Sequence, residues 1–121
     1  MSTTDLDRLF AAASEFDASD LHLVAGVPPA FRVNGEIILA EEDALTEKDV
    51  TEGAWGLLNE QQRRKFDEEW ELCISLLHSA AGRVRATFYR RNGHPEMRFR
   101  FCGERFATRN GHINFYSSTP V

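Results

Sequence analysis

The sequence contains 121 residues, 42% of them hydrophobic and nine of them Phe, which suits one domain with one hydrophobic core. No apolar stretch approaches the roughly 20 residues that a membrane helix needs. The N-terminal stretch MSTTDLDRLF is acidic and polar, unlike a secretory signal. These features argue against a membrane-spanning, a secreted and a disordered protein.

The net charge of −5 hides a strong asymmetry along the chain. Residues 1–82 carry six Lys and Arg against seventeen Asp and Glu, whereas residues 83–121 carry eight Arg, no Lys and two Glu. Arginine forks bind phosphate and carboxylate oxygens bidentately, which lysine does less well. The chain therefore joins an acidic body to an arginine-rich segment.

The first 40 residues predict one helix followed by three short strands. The helix is predicted over residues 4–16, where apolar residues recur at helical spacing: Leu6, Leu9, Phe10, Ala13 and Phe16. Apolar stretches at 21–24 and 30–33 indicate two strands, separated by a Pro-Pro pair that a strand interior does not accommodate. Asn-Gly at 34–35 predicts a tight hairpin turn, because both turn positions need a positive φ, and 36–39 is the returning strand.

The rest of the chain predicts two helices and then a meander of three strands. Thr46 and Asn59 are the expected N-caps of the second and third helices. Stretches at 72–78, 84–89 and 97–102 have the composition and alternation of strands that pair in sequence order. This order predicts an α+β fold with one antiparallel sheet and helices packed on one of its faces.

The sequence shows no site for independent catalysis. Cys73 and Cys102 lie far apart in apolar surroundings, and we expect two buried, reduced thiols rather than a disulfide. The CxxC and HxxxH spacings of zinc sites are absent, and we expect no metal. The sequence also lacks the GxxxxGKS/T loop that cradles phosphates in P-loop ATPases.

Asp20 and His22 stand inside the otherwise apolar first strand. Alternate residues of a strand share a face, so both side chains should point away from Leu21 and Leu23. One interpretation is a general acid–base pair, and the other is a hydrogen-bonded pair that anchors the strand. Because the sequence offers them no nucleophile or metal ligand, the structural role is favoured.

The stretch GRVRATFYRR places Arg83 and Arg85 on one face of a strand, with Arg90 at its end. Arg98 and Arg100 repeat the same spacing on the next strand. If the two strands pair, guanidinium groups from both share one small surface. Phosphate contacts and internal salt bridges are both open interpretations of this surface.

Three motifs, in a fixed order over residues 6–101, carry a family resemblance. ASDLHLVAGVPPAFRVNGE combines an SDLHL strand, a small-residue Pro-Pro turn and a basic hairpin. LTEKDV with LLNEQQRRKFDEEWELCISL forms a helix pair, and GRVRATFYRRNG is a basic strand and turn. In order and spacing they resemble the N-terminal domain of the type IV pilus retraction (twitching motility) ATPases and their type II secretion relatives.

This resemblance implies a PAS-like two-layer domain over residues 1–103, with a divergent tail or linker remnant over 104–121. In such ATPases a RecA-like motor domain carries the P-loop, six subunits form a ring, and each N-terminal domain packs against a neighbour's motor domain. The resemblance implies no catalytic residue or cofactor in this chain, since ATP and Mg²⁺ belong to the parent assembly. It also implies a cytoplasmic setting at the inner-membrane pilus or secretion machinery, without membrane insertion.

The resemblance also implies residue roles. Arg83, Arg85 and Arg90 stand at basic positions of the family and are expected to reach nucleotide in a neighbouring subunit. Interface and structural roles are implied for the residues that match the opening motif: Asp20, His22, Arg32 and Gly35.

Two other functions stay open from the sequence alone. One is a stand-alone PAS-like binding or regulatory module, which a stop codon after residue 121 would support and a downstream P-loop would oppose. The other is nucleic-acid binding by the arginine strands, which the acidic body of the chain disfavours. Its stacking groups would be the aromatic residues of the same strands: Phe88, Tyr89, Phe99 and Phe101.

Overall fold

The computed structural model describes residues 1–102, which form three helices and six strands. The elements are α1 (Thr3–Glu15), β1 (Asp20–Leu23), β2 (Ala30–Val33), β3 (Glu36–Leu39), α2 (Glu47–Leu57), α3 (Glu60–Glu69), β4 (Glu71–His78), β5 (Gly82–Arg91) and β6 (His94–Phe101). This order confirms the predicted succession of one helix, three short strands, two helices and a three-stranded meander.

All six strands belong to one open sheet with the order β3-β2-β1-β6-β5-β4. Every neighbouring pair is antiparallel. β1 and β6 pair in the middle of the sheet, where Leu21 lies opposite Phe99. This central pairing joins the first three strands to the C-terminal meander, so that side chains from both halves of the chain become neighbours.

Two Asn-Gly turns set the register of the hairpins on either side of this pairing. Asn34 and Gly35 have φ angles of 52° and 81°, and Asn92 and Gly93 have φ angles of 53° and 84°. A type I′ turn requires positive φ at both central positions, which glycine adopts without steric cost. The first turn confirms the predicted hairpin, and the second connects β5 to β6.

Each helix begins with a capping box, in which the N-cap side chain and the third helical residue satisfy each other's backbone N–H groups. The pairs are Ser2 with Asp5, Thr46 with Asp49 and Asn59 with Gln62. The predicted N-caps of the second and third helices are therefore confirmed.

The helices pack on one face of the sheet and bury its apolar side chains. Alternation along β5 sends Val84, Ala86 and Phe88 inward, and all three are fully buried. From α1, the Phe10 ring meets the Phe99 ring edge to face, with centroids 4.9 Å apart. These side chains belong to one continuous core, and the predicted α+β arrangement with helices on one face is confirmed.

The prediction of buried cysteines is wrong, because Cys73 and Cys102 are both exposed and free. Alternation in β4 buries Leu72 and leaves Cys73 on the outer side, while Cys102 follows the last residue of β6. The apolar neighbours that suggested burial occupy the inward positions of these strands.

None of the helices within residues 1–102 is long and apolar enough to cross a bilayer. The predicted tail over 104–121 lies outside the described residues, and the domain limit at residue 103 stays a prediction.

Phe66 is the buried residue of α3, and its ring lies 6.3 Å from the Phe88 ring and 6.0 Å from the Trp55 ring. We expect Phe66→Ala to lower the free energy of unfolding by about 3–5 kcal/mol, because α3 loses its anchor in the core. Urea denaturation measures this change. Leu77→Ala is the control, since Leu77 is 81% exposed. The control should change the same quantity by less than about 0.5 kcal/mol, and a similar loss in both variants would contradict the packing described here.

Candidate functional site

The side of the sheet opposite the helices, which we call the open face, carries a cluster of charged side chains. Asp20 on β1 lies opposite Arg32 on β2 and opposite Arg100 on β6. Arg100 in turn lies opposite Arg85 on β5, and His22 lies opposite Arg98. Four strands therefore contribute to one charged surface, and the expected sharing of a surface by arginines of β5 and β6 is confirmed.

Asp20 is the hub of this surface. Its side chain is only 5% exposed and accepts hydrogen bonds from Ser19 Oγ at 2.8 Å and from Arg100 Nε at 3.4 Å. It also forms ion pairs with Arg98 Nη2 at 3.6 Å and Arg32 Nε at 3.8 Å. One buried carboxylate thus holds guanidinium groups from the strands on both sides of β1.

The same contacts keep the Asp20 carboxyl ionised. Burial raises its pKa, but the hydrogen bonds from Ser19 and Arg100 and the charges of Arg100 and Arg98 outweigh burial, so the pKa lies below its ordinary value. A carboxylate in this state does not act as a proton donor near neutral pH. The geometry therefore supports a structural role for Asp20.

His22 shares the open face with Asp20, as predicted, but it is not hydrogen-bonded through Nε2. That atom is buried and has no hydrogen-bond partner within residues 1–102. Burial and the positive charge of Arg98 lower the pKa of His22, although the Asp20 carboxylate acts in the opposite direction. The ring is therefore neutral at pH 7.

The guanidinium groups of Arg83 and Arg85 stay available to bind a partner. Both side chains are exposed on the outward positions of β5, and neither forms an ion pair within the described residues. Arg100, opposite Arg85, is already bound to Asp20. Arg83 and Arg85 thus differ from the other arginines of this surface in lacking a carboxylate among residues 1–102.

Arg90 lies on the helix side of the sheet, away from Arg83 and Arg85. Its Nη2 atom donates to Asp67 Oδ1 of α3 at 2.9 Å, and its guanidinium lies 4.8 Å from the centre of the Phe66 ring. This contact clamps α3 onto β5. The structure does not bring Arg90 together with the other two arginines for which a nucleotide contact was expected.

Arg32 and Gly35 belong to the first hairpin. Arg32 Nη1 donates to the Gly35 carbonyl at 3.4 Å, while its Nε atom faces Asp20. The same contact occurs in the second hairpin, where Arg90 Nη1 donates to the Gly93 carbonyl at 3.4 Å. An Arg two residues before an Asn-Gly turn is therefore a sequence signal for a hydrogen bond from its guanidinium to the glycine carbonyl of the turn.

Glu96 is a member of the site that the sequence did not single out. It is 8% exposed, lies opposite Tyr89, and forms an ion pair with Arg91 Nε at 3.5 Å. Burial, and then the hydrogen bond and charge of Glu96, raise the pKa of Tyr89. The alternation Glu-x-Arg-x-Arg in β6 is the signal that would have placed Glu96 on the charged face.

The aromatic residues of the strands do not form a stacking surface. Phe88, Phe99 and Phe101 are buried in the core, and Tyr89 is the aromatic residue of this group that faces outward. The open face instead contains a depression of about 520 Å³ beside His22. Within residues 1–102, His, Cys, Asp and Glu side chains do not gather into a group that would hold a metal ion.

We expect Asp20→Asn to lower the free energy of unfolding at pH 7 by about 1–3 kcal/mol, because the buried carboxylate loses its charge and its ion pairs with the arginines. The loss stays within this range because the arginines remain partly solvated. The folded-state pKa of Asp20 is lowered, so this stabilisation is complete above the unfolded value of about 3.9 and disappears as the pH falls through the folded value. Urea denaturation at pH 7 and pH 3 measures the difference.

Asp67→Asn is the matched control, because Asp67 pairs with Arg90 but is 57% exposed. Asp67→Asn should lower the free energy of unfolding by less than about 1 kcal/mol at pH 7. Equal costs in the two variants, or a pH-independent cost for Asp20→Asn, would contradict the role of Asp20 as the hub.

Two curated relatives match the sequence. The chain is 36% identical over 89 residues to the type IV pilus ATPase PilU of Pseudomonas aeruginosa, an alignment that covers 73% of the chain and 23% of PilU. It is 33% identical over 88 residues to the retraction ATPase PilT of the same organism, covering 73% of the chain and 26% of PilT. The chain thus spans about a quarter of the length of these relatives, and no family model matches it.

Solved structures agree with the sequence relatives. The crystal structure of the pilus retraction motor PilT with bound ADP superposes with a TM-score of 0.71 at 27% identity, covering 83% of this chain and 29% of that one. The ATPase DotB of Legionella pneumophila superposes with a TM-score of 0.68 at 16% identity, covering 85% and 30%, and shows the shared fold alone. Motifs, sequence identity and fold agree that the chain belongs to the family of the type IV pilus ATPases PilU and PilT.

Proposed function

We propose that this chain is the non-catalytic N-terminal part of a type IV pilus or type II secretion ATPase. In this role it docks on the RecA-like motor domain of a neighbouring subunit and contributes arginines to the ATP cleft. The observation that carries the proposal is the pair Arg83 and Arg85, exposed and without a carboxylate partner in residues 1–102. The bound ADP of the PilT structure supports a nucleotide in the parent assembly.

An unpaired guanidinium is suited to this task. Its planar fork matches phosphate oxygens, and a positive charge opposite the transferring phosphoryl group stabilises the charge of the transition state, as an arginine finger does in trans. Arg85 is the better placed of the two, because its cross-strand neighbour on β6 is Arg100, which Asp20 binds. Arg90 has no part in this proposal, since Asp67 and Phe66 engage it on the other side of the sheet.

The remaining parts of the reaction belong to the partner. The motor domain supplies the P-loop that binds ATP and Mg²⁺, and a bound Mg²⁺ would neutralise part of the phosphate charge. In this proposal six subunits form a ring at the cytoplasmic side of the inner membrane, within a pilus or secretion machine. The face around Asp20 and Arg32 provides the rigid surface that moves as one body when the nucleotide changes.

The proposal is tested by mixing the purified chain with the isolated motor domain of a pilus ATPase and ATP. We expect the ATPase rate and the oligomer size to rise. Arg85→Ala should reduce the stimulated part of the ATPase rate by at least about tenfold, because the positive charge supplied in trans to the phosphates is lost. Steady-state phosphate release and light scattering measure the two quantities.

Arg64→Ala is the matched control, since Arg64 is an exposed arginine of α3 on the opposite layer. It should leave both quantities unchanged. A chain that changes neither rate nor oligomer size, or two variants that behave alike, would contradict the proposal. A chain that lowers both quantities would favour an inhibitory adaptor instead.

A further inference from the structure

We propose that the outer edge of β4 is a self-association surface, through which two copies of this chain join their sheets across a two-fold axis. We call the side of residues 71–78 that faces away from β5 the free edge. In the dimer the two β4 strands run antiparallel and extend one sheet into the other. The inference rests on β4 and α3 alone and is independent of the proposed function.

The free edge has unpaired main-chain groups. β4 is the last strand of the sheet, and β5 is its neighbour among the described residues. Within residues 1–102, no backbone hydrogen bond from outside the β4–β5 ladder reaches residues 71–78. The outward N–H and C=O groups of an edge strand are a template for another strand. The free edge therefore offers main-chain hydrogen bonds to a second copy.

β4 also lacks the features that commonly protect an edge strand, which are short length, Lys or Pro on the edge, and a β-bulge. It has eight residues, ELCISLLH, with neither Lys nor Pro. Its register with β5 runs without a bulge from Glu71 to His78. The opposite edge strand, β3, has only four residues and is protected by its shortness. Of the two edges, β4 is thus the one suited to accept a partner strand.

The side chains of β4 are apolar on both faces of the sheet. Leu77, on the open face, is 81% exposed. On the helix side Leu72 is buried, while Ile74 and Leu76 are only partly buried. Leu72 and Ile74 line a depression of about 610 Å³ between α3 and β4. Apolar side chains of a second β4 strand would fill this depression and remove its surface from water.

A two-fold axis normal to the sheet restricts the register of the two strands. It keeps helix-side residues opposite helix-side residues, because directly opposite side chains of an antiparallel pair share a face. An axis at Ile74 places Leu72 of each copy opposite Leu76 of the other, so the helix-side row is apolar throughout. An axis at Ser75 would place Leu72 opposite His78, whose ring is already hydrogen-bonded within its own chain. The proposed dimer therefore has its axis at Ile74.

The charges on α3 favour a second copy as the occupant of the depression. Lys65 and Glu68 both line it and both are exposed. The two-fold axis reverses the direction of α3, so Lys65 of one copy approaches Glu68 of the other, and the same contact occurs twice. Within its own chain Lys65 has only the exposed pair with Glu69 at 4.0 Å, which contributes little. This side of α3 is thus complementary in charge to itself.

Sedimentation equilibrium of the full chain tests the association. The interface is small, so we expect a dimer with a Kd of about 1–100 μM, as in other weak complexes. Lys65→Glu and Glu68→Lys should each raise this Kd about tenfold, because like charges then meet twice across the axis. An equimolar mixture of the two variants should dimerise as tightly as the unchanged chain, since its heterodimer restores both opposite-charge contacts. Misfolding of either variant could not produce this rescue.

Glu52→Lys is the matched control. It makes the same change of net charge as Glu68→Lys, at an exposed position of α2, which packs on β6. The Kd of the dimer should change less than about twofold, because exposed charges more than a Debye length apart are largely screened.

Disulfide trapping tests the register. With the axis at Ile74, the exposed Cys73 lies opposite Ser75 of the second copy, at a Cα separation of about 4.5–5.5 Å that a disulfide spans. In a Cys102→Ser background, Ser75→Cys should give a covalent dimer under mild oxidation. Adding Cys73→Ser should abolish this dimer. A covalent dimer that forms without Cys73 would place the axis at Ser75 and overturn the register.

Three further results would overturn the proposal. They are a chain that sediments as a monomer at about 1 mM, a variant mixture without rescue, and an equal weakening by Glu52→Lys and Glu68→Lys. The last would indicate a general effect of net charge. Because the test uses the chain alone, its failure would leave the docking proposal standing, and a failure of motor stimulation would leave this dimer standing.

Discussion

The charged surface of this protein depends on one buried carboxylate. Asp20 sits at the centre of a six-stranded sheet and holds Arg98 and Arg100 from one neighbouring strand and Arg32 from the other. Without that carboxylate, the cross-strand approach of these arginines would be a repulsion between like charges. The hub therefore allows an arginine-rich surface on a chain whose overall charge is negative, and it fixes where that surface lies.

Strand alternation divides the arginines into groups with different tasks. Inward positions carry the apolar core together with Arg90, which fastens α3 to the sheet through Asp67 and Phe66. Outward positions carry the arginines that Asp20 neutralises, and also Arg83 and Arg85, which no carboxylate of residues 1–102 engages. The face of the sheet on which an arginine lies, and its distance from Asp20, thus decide whether it serves the structure or stays available for a partner.

Much of this was predictable because its signals are local. The Asn-Gly turn, the helix caps and the period-two pattern of β5 depend on residues that are close in sequence. What could not be predicted has a common cause in long-range placement. The apolar neighbours of Cys73 face inward and leave its own side chain exposed, and two of the partners of Asp20, Arg98 and Arg100, lie on β6, far along the chain. Nothing local to Arg90 showed that α3 would cover it.

The proposed contact of this surface with a motor domain is testable directly on side chains. Arginine-selective labelling with phenylglyoxal, read by mass spectrometry, measures the accessibility of each guanidinium with and without a motor domain and a nonhydrolysable ATP analogue. The account predicts that Arg83 and Arg85 react fast in the chain alone and become protected in the mixture, while Arg90 is slow in both. Unchanged reactivity of Arg83 and Arg85 in the mixture, or protection confined to Arg90, would contradict it.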